Sequence, residues 1–253
     1  MSIKKFCADL HIHTCLSPCG ELEMTPYNIA QKCNEKGIDV IAVCDHNSAE
    51  NVKWVQKAAE KFNVTVLPGM EITTSEEVHL IALFDNNESV MHLQEFVYSH
   101  LLPGENDDDL FGMQVVANDK NEVEKIVHKL LIGGTTITLN QAIEKIHYLH
   151  GLAIPAHIDR ESFSILAQLG FIPNDMDADA VEISYKADLE TMLTVPGVDK
   201  FIIVISSDAH QLSEIGRGTI SLFLEHIFVN EFKKAFEGKE GRYIRYDNNK
   251  HNN

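Results

Sequence analysis

The sequence predicts an α/β fold built on a parallel sheet or barrel. Two observations carry this. Apolar strand-like runs alternate with helical segments through the first eighty residues, in the order β-α-β-α-β. Ligand-type side chains then follow those strands: His13, His46 and Glu71 each stand just past an apolar run, where folds of this kind gather their functional groups. A length of 253 residues suits one α/β barrel as well as two small domains.

The first strand is the most informative. Phe6, Ala8, Leu10 and Ile12 alternate with Cys7, Asp9, His11 and His13. A period of two sets the imidazoles of His11 and His13 side by side on one face. Neutral imidazole is the commonest side-chain ligand for transition metals. After the turn-rich Cys15–Gly20 segment, Thr25 and Pro26 open a helix as N-cap and first helical residue, and Gly37 stops it. Ile38 to Cys44 is almost continuously apolar, as a buried strand requires. It leads into Asp45-His46-Asn47. A second helix spans about Ala49 to Lys61. A strand from Val64 to Leu67 runs into Pro68-Gly69-Met70-Glu71, and a fourth, Val78 to Phe84, carries His79 near its start.

Glu88 to Leu102 reads as a helix, and the acidic Pro103–Asp109 stretch as a solvated loop. Residues 103–135 are expected to form an insertion or lid, since long inserted loops commonly set specificity. Thr138 to Gly151 is helical. The strand from Leu152 to Ala156 delivers His157, a short helix spans Ser162 to Leu169, and Ala180 to Ser184 is a strand. The apolar strand from Phe201 to Ile205 leads to Ser207-Asp208-Ala209-His210. Thr219 to Leu224, Asn230 to Glu237 and Tyr243 to Tyr246 complete the pattern as strand, helix and strand, with Asn248 to Asn253 frayed.

Composition narrows the options. Hydrophobic content of 44% and charged content of 23% are ordinary for a globular protein. The formal net charge of −17 argues against duplex nucleic acid and an anionic membrane as partners. It also requires cations wherever an anionic substrate is to bind. The five cysteines all lie before residue 45 and suggest no disulfide framework, which points to a reducing cytoplasm. No signal-peptide run and no membrane-spanning stretch is evident.

Asp9, His11, His13, Asp45, His46, Glu71, His79, His157, Asp208 and His210 together make a His/carboxylate set suited to a multinuclear divalent-metal centre. Asp9-x-His11-x-His13-Thr14, Asp45-His46-Asn47, Gly69-Met-Glu71, His79, Pro155-Ala-His157 and Ser207-Asp208-Ala-His210 resemble the motifs of the PHP (polymerase and histidinol phosphatase) family, in the family's order. The resemblance implies a distorted (β/α)7 TIM-like barrel, one PHP domain over residues 1–253. It implies two to three divalent ions, Zn, Mn or Fe. His11, His13, Glu71 and Asp208 would hold one ion. Glu71 would bridge to a second, held also by His79 and His157. His46 and His210 would hold a third with a residue of the loop after His13. Many members place an aspartate in that loop, whereas this chain has Ser17-Pro18-Cys19-Gly20-Glu21. Cys19 or Glu21 is the expected candidate to take its place, and a thiolate would favour zinc. Asp9 and Asp45 are expected to orient imidazoles.

Such a centre fits phosphate-ester hydrolysis by metal-activated hydroxide, with no side-chain nucleophile. Arg160 and Arg217, each close in sequence to a ligand motif, are the expected phosphate contacts. The expected substrate is a small phosphorylated metabolite or a nucleotide. The alternatives are a metal-dependent amidohydrolase, since related barrels cleave C–N bonds with similar clusters, and a non-catalytic module stabilised by metal.

Overall fold

The computed structural model describes residues 2–246; the fraying expected for Asn248 to Asn253 lies outside them. Strand β1 (Lys4–Ile12) is followed by α1 (Pro26–Glu35), β2 (Val40–Val43), α2 (Val52–Ala59), β3 (Thr65–Thr73) and β4 (His79–Leu83). After α3 (Asn87–His100) comes a small appendage of α4 (Asp108–Phe111), β5 (Val115–Ala117) and β6 (Val123–Ile126). Then follow α5 (Leu139–Tyr148), β7 (Leu152–Pro155), α6 (Ile165–Leu169), β8 (Val181–Ser184), α7 (Leu189–Met192), β9 (Ile203–Ser206), β10 (Ile220–Leu224), α8 (Val229–Phe236) and β11 (Tyr243–Arg245).

Seven strands form one curled sheet in the order β11-β10-β1-β2-β3-β4-β7. It is mixed, not parallel throughout. β1, β2 and β3 run parallel, but β4 pairs antiparallel with both β3 and β7. The cause is the length of the link. Only residues 74–78 separate β3 from β4, and a parallel return needs a dozen residues or more. Thr74 instead donates to Val78 O at 3.0 Å and closes a hairpin. β3 also runs farther than its apolar run suggests, through Pro68 and Gly69, so Glu71 lies inside the strand and not beyond its end.

β8 and β9 pair as a parallel ribbon. Asp179 N–H donates to Ala153 O and Ile158 N–H to Glu182 O, joining the ribbon to β7, while His13 N–H donates to Ala209 O beside β1. β2 shows why its sequence is apolar without a break. Ile41 and Val43 pack in one core with Ile29 of α1 and Val55 of α2, while Val40 and Ala42 pack in a second with Leu10, Ile81, Ile154 and Phe232. Each such side chain contributes about 1.5–3 kcal/mol on burial. The β1–β2 register shifts between Asp9 and Ile12, so Ile12 joins the first core while Ala8 and Leu10 belong to the second. Irregularities of this kind re-aim side chains beside functional sites. Thr25 stands at the N-cap of α1 as expected, but its hydroxyl makes no capping bond.

Gly218 lies where backbone packs on backbone. A Cβ there would sit 2.2 Å from Ser206 O and 2.4 Å from Ser206 C. Gly218→Ala must push back the segment that carries Asp208. The expected cost is about 1–3 kcal/mol of stability, the range for overpacking, read as a lower urea midpoint; an unchanged midpoint would mean that Ser206 yields freely.

Candidate metal centre

His11 and His13 converge, with their Nε2 atoms 3.0 Å apart. Each is held from behind. His11 Nδ1 lies 3.0 Å from Glu182 Oε1; a carboxylate only accepts, so Nδ1 carries a proton and Nε2 is the nitrogen turned inward for a ligand. Ser17 Oγ donates to Asp45 Oδ1 at 2.7 Å and accepts from His13 Nδ1 at 2.8 Å. Asp45 is itself fixed by the N–H and hydroxyl of Thr14. His210 Nδ1 donates to Asp208 O at 2.9 Å, and the ring also meets Cys19.

Glu71 stands at the centre. Its Oε1 lies 2.9 Å from His79 Nδ1, 3.3 Å from His157 Nε2 and 3.5 Å from His11 Nε2. Its Oε2 lies 2.9 Å from His46 Nδ1 and 3.5 Å from His13 Nε2. Asp208 Oδ1 lies 3.0 Å from His13 Nε2 and 3.3 Å from His11 Nε2. Three groups have ligand atoms close enough to share an ion: His11, His13 and Asp208; His46, Glu71 and His79; His13, His46 and His210.

These residues fit a metal. His46 Nδ1, Glu71 Oε2, His157 Nδ1 and Asp208 Oδ1 are buried without a hydrogen bond of good geometry, as is Glu182 Oε2 behind them. Buried polar atoms are ordinarily paired. Acceptors facing acceptors at about 3 Å call for a cation between them. Burial alone would raise the Glu71 carboxyl, but the imidazoles of His79, His11 and His46 hold it well below the usual carboxylate range. Asp208 is likewise held low, against its burial, by His11 and His13.

Asp9, expected to orient an imidazole, instead accepts from Ser207 N–H and Gly216 N–H at 3.0 and 2.9 Å, and so fixes the segment bearing Asp208. Burial pushes its carboxyl up to about 6. Arg160 Nη2 reaches Asp208 Oδ2 at 2.5 Å. Arg217 pairs with Glu214 Oε1 at 3.1 Å and Tyr185 Oη at 3.3 Å. Cys19 lies at the mouth beside His46 and His210; desolvation opposes ionisation of its thiol, but those imidazoles outweigh it and bring the thiol down to about 6. Glu21 donates its backbone N–H to His210 O, and its side chain is exposed. Sequence reasoning missed Glu182 and Ser17. An acid between Val181 and Ile183 in an apolar strand was the available signal for Glu182; nothing marked Ser17 beyond its place in a turn.

The cavity over these residues measures about 180 Å³ and is lined by Cys19, His46, His157, Arg160, Phe163 and Ile132, among others. A larger hollow of about 420 Å³ lies away from it, beside Trp54, Val90, Met91 and Val116, and none of the three ligand groups among the described residues faces it. Ile132 belongs to the appendage, which is anchored from the site side. Asn47 donates to Leu131 O and Gly133 O, and Asn51 to Val115 O. Asn47, His157, Phe163 and Asp208 all have positive φ, between 30° and 54°, a conformation that clusters at functional sites.

Residues 9–158 match the PHP domain model, and the chain belongs to the PHP domain family of metal-dependent hydrolases. YqxK of Bacillus subtilis, an uncharacterised protein, is 25% identical over 262 residues, covering 96% of this chain and 64% of that one. An uncharacterised protein of Methanocaldococcus jannaschii is 37% identical over 89 residues, covering 32% of this chain and 52% of its own length. The chain thus spans about half to two thirds of these relatives. Among solved structures, the lesion-specific Endonuclease Q of Pyrococcus furiosus matches with a TM-score of 0.65 at 19% identity, covering 95% of this chain and 58% of that one. A Bifidobacterium adolescentis protein provisionally assigned as a metal-dependent phosphoesterase gives 0.55 at 18%, covering 80% and 87%.

One expectation is overturned here. Exclusion of duplex nucleic acid on net charge does not hold, because Endonuclease Q has been crystallised with a 27-mer duplex substrate bearing an abasic lesion at the active site. Net charge sums the whole surface, whereas binding responds to the local field, which bound cations and neighbouring arginines can reverse. Among the described residues no helix is long and apolar enough to cross a membrane.

Proposed function

We propose that this chain is a metal-dependent phosphoesterase acting on a small phosphorylated metabolite or a nucleotide. The observation that carries the reading is the convergence of imidazole nitrogens and carboxylate oxygens around Glu71, with Arg160 beside them at the cavity. His11, His13, Glu71 and Asp208 would hold one divalent ion; Glu71, His79 and His157 a second; His46 and His210 a third, completed by Cys19 or Glu21. Zn, Mn and Fe are the candidates, and Cys19 as ligand would favour zinc. Bound ions would supply Lewis acidity and a water acidic enough to ionise near neutral pH. Glu182, Ser17 and Asp45 keep the imidazole lone pairs aimed inward. Arg160 would turn from Asp208 to a phosphate oxygen, a geometry its planar guanidinium suits. Arg217, held by Glu214 and Tyr185, is a second candidate for that role.

We further read β1, β2, β3, β4, β7, β8 and β9 as the seven strands of a distorted (β/α)7 barrel, closed by the hydrogen bonds at Ala153, Glu182 and Ala209. Residues 1–253 are then a single PHP unit, with residues 103–135 an insertion overhanging the mouth through Ile132. The five free cysteines suit a reducing cytoplasm. The test is elemental analysis with phosphoester hydrolysis measured before chelation, after it, and after reloading with Zn, Mn or Fe. Two to three ions per chain and metal-restored hydrolysis are expected. Bound metal with hydrolysis of amides alone would overturn the phosphoesterase reading.

A further inference from the structure

The loop after β7 carries more than its ligand His157. It is fastened at several points. Asp159 accepts from Ser184 N–H and Oγ at 2.7 and 2.5 Å. Ser164 Oγ donates to Arg160 O at 2.6 Å and accepts from Ala167 N–H at 3.1 Å. His79 N–H donates to Phe163 O at 2.9 Å. On this fixed loop Phe163 adopts φ 54°, an unfavourable value for a bulky residue. One face of its ring stacks on His79, with centroids 4.7 Å apart and planes 19° apart. The residue is nevertheless 41% exposed, and it lines the cavity together with Arg160 and Ser162. The other side of the ring is thus available at the mouth. A strained backbone holds an apolar ring against water, three residues from a guanidinium that faces the metal ligands.

We propose that Phe163 is a stacking platform for a nucleobase, so that the substrate is a nucleotide or a nucleotide unit of a strand, with its phosphate over Glu71 and Asp208. This rests on the phosphoesterase reading for the placement of the phosphate. Every base offers a π-face, and stacking on an aromatic side chain selects for a ring without selecting its sequence. The cavity of about 180 Å³ admits a phosphate group, which leaves an attached ring to lie at the rim where Phe163 stands.

The test is binding to the metal-loaded protein, which needs no turnover. Dissociation constants are measured for inorganic phosphate, for 2-aminopurine nucleoside monophosphate by fluorescence quenching, and for an oligonucleotide ending in 2-aminopurine. In the unaltered protein both base-bearing probes should bind more tightly than phosphate and be quenched; the tighter of the two identifies free nucleotide or strand as the source. Phe163→Ala should lower the ratio of nucleotide to phosphate affinity by about 10- to 100-fold, and Phe163→Trp should restore it. A ratio unchanged in Phe163→Ala, with both ligands weakened together, would overturn the platform and leave Phe163 as a cover for His79. Nucleotide binding no tighter than phosphate in the unaltered protein would overturn it too. Failure of all phosphoester hydrolysis with the binding ratio intact would count against the phosphoesterase reading and not against the platform.

Discussion

Glu71→Gln is expected to abolish metal binding at two positions at once. Each Glu71 oxygen serves a different set of imidazoles: Oε1 faces His79, His157 and His11, and Oε2 faces His46 and His13. A glutamine keeps the shape but presents an NH₂ to one of these sets, where lone pairs already converge. It also removes the negative charge that makes so dense a group of imidazoles tolerable. Metal content should fall by about two ions per chain, and phosphoester hydrolysis on the order of 10²–10³-fold, the scale of losing a group that stabilises transition-state charge. Circular dichroism should be retained, because Glu71 lies within β3, whose backbone pairing with β2 and β4 does not involve the side chain. Full metal occupancy in Glu71→Gln would remove Glu71 from its bridging role.

The ligand-type residues were legible in the sequence because each stands in or beside an apolar run, and such runs are forced by burial on both faces of the sheet. Ile38 to Cys44 could hardly be anything but a strand packed between two cores. The reversal at β4 was not legible, because the five-residue link before it exists only once β3 runs past its apolar stretch to Thr73. What else was not legible depends on residues distant in the chain. Ser17 lies 28 positions from Asp45, yet carries its influence to His13. Asp9 sits in the first motif but acts on backbone groups about two hundred residues later. Arg217 follows the Asp208-Ala-His210 motif closely, yet its guanidinium is engaged by Glu214 and Tyr185. Net charge failed for a related reason: a sum over residues carries no position.

Glu182 shows most directly how far the missed part of the site reaches. It is 1% exposed, its Oε1 accepts hydrogen bonds from His11 Nδ1–H at 3.0 Å and from the backbone N–H of His157 at 3.2 Å, and it lies 171 positions from His11. Burial opposes a proton on His11, but Glu182, with Asp208 and Glu71, holds its pKa well above the ordinary value. One carboxylate therefore sets the tautomer of one ligand and the backbone position of another. Glu182→Ala leaves His11 Nδ1 and His157 N–H buried without partners. The expected loss is about 3–5 kcal/mol of stability in the metal-free protein, the scale for breaking a buried charged pair. Metal affinity should fall about 10- to 100-fold. Glu182→Gln can still accept from His11 through its amide oxygen, so it should retain the tautomer and lose affinity toward the lower end of that range. Chemical denaturation in chelator gives the first quantity, and competition with a metal indicator gives the second. If Glu182→Ala bound metal as tightly as the unaltered chain, His11 would be oriented by packing alone, and the carboxylate would be a structural partner of the His157 backbone.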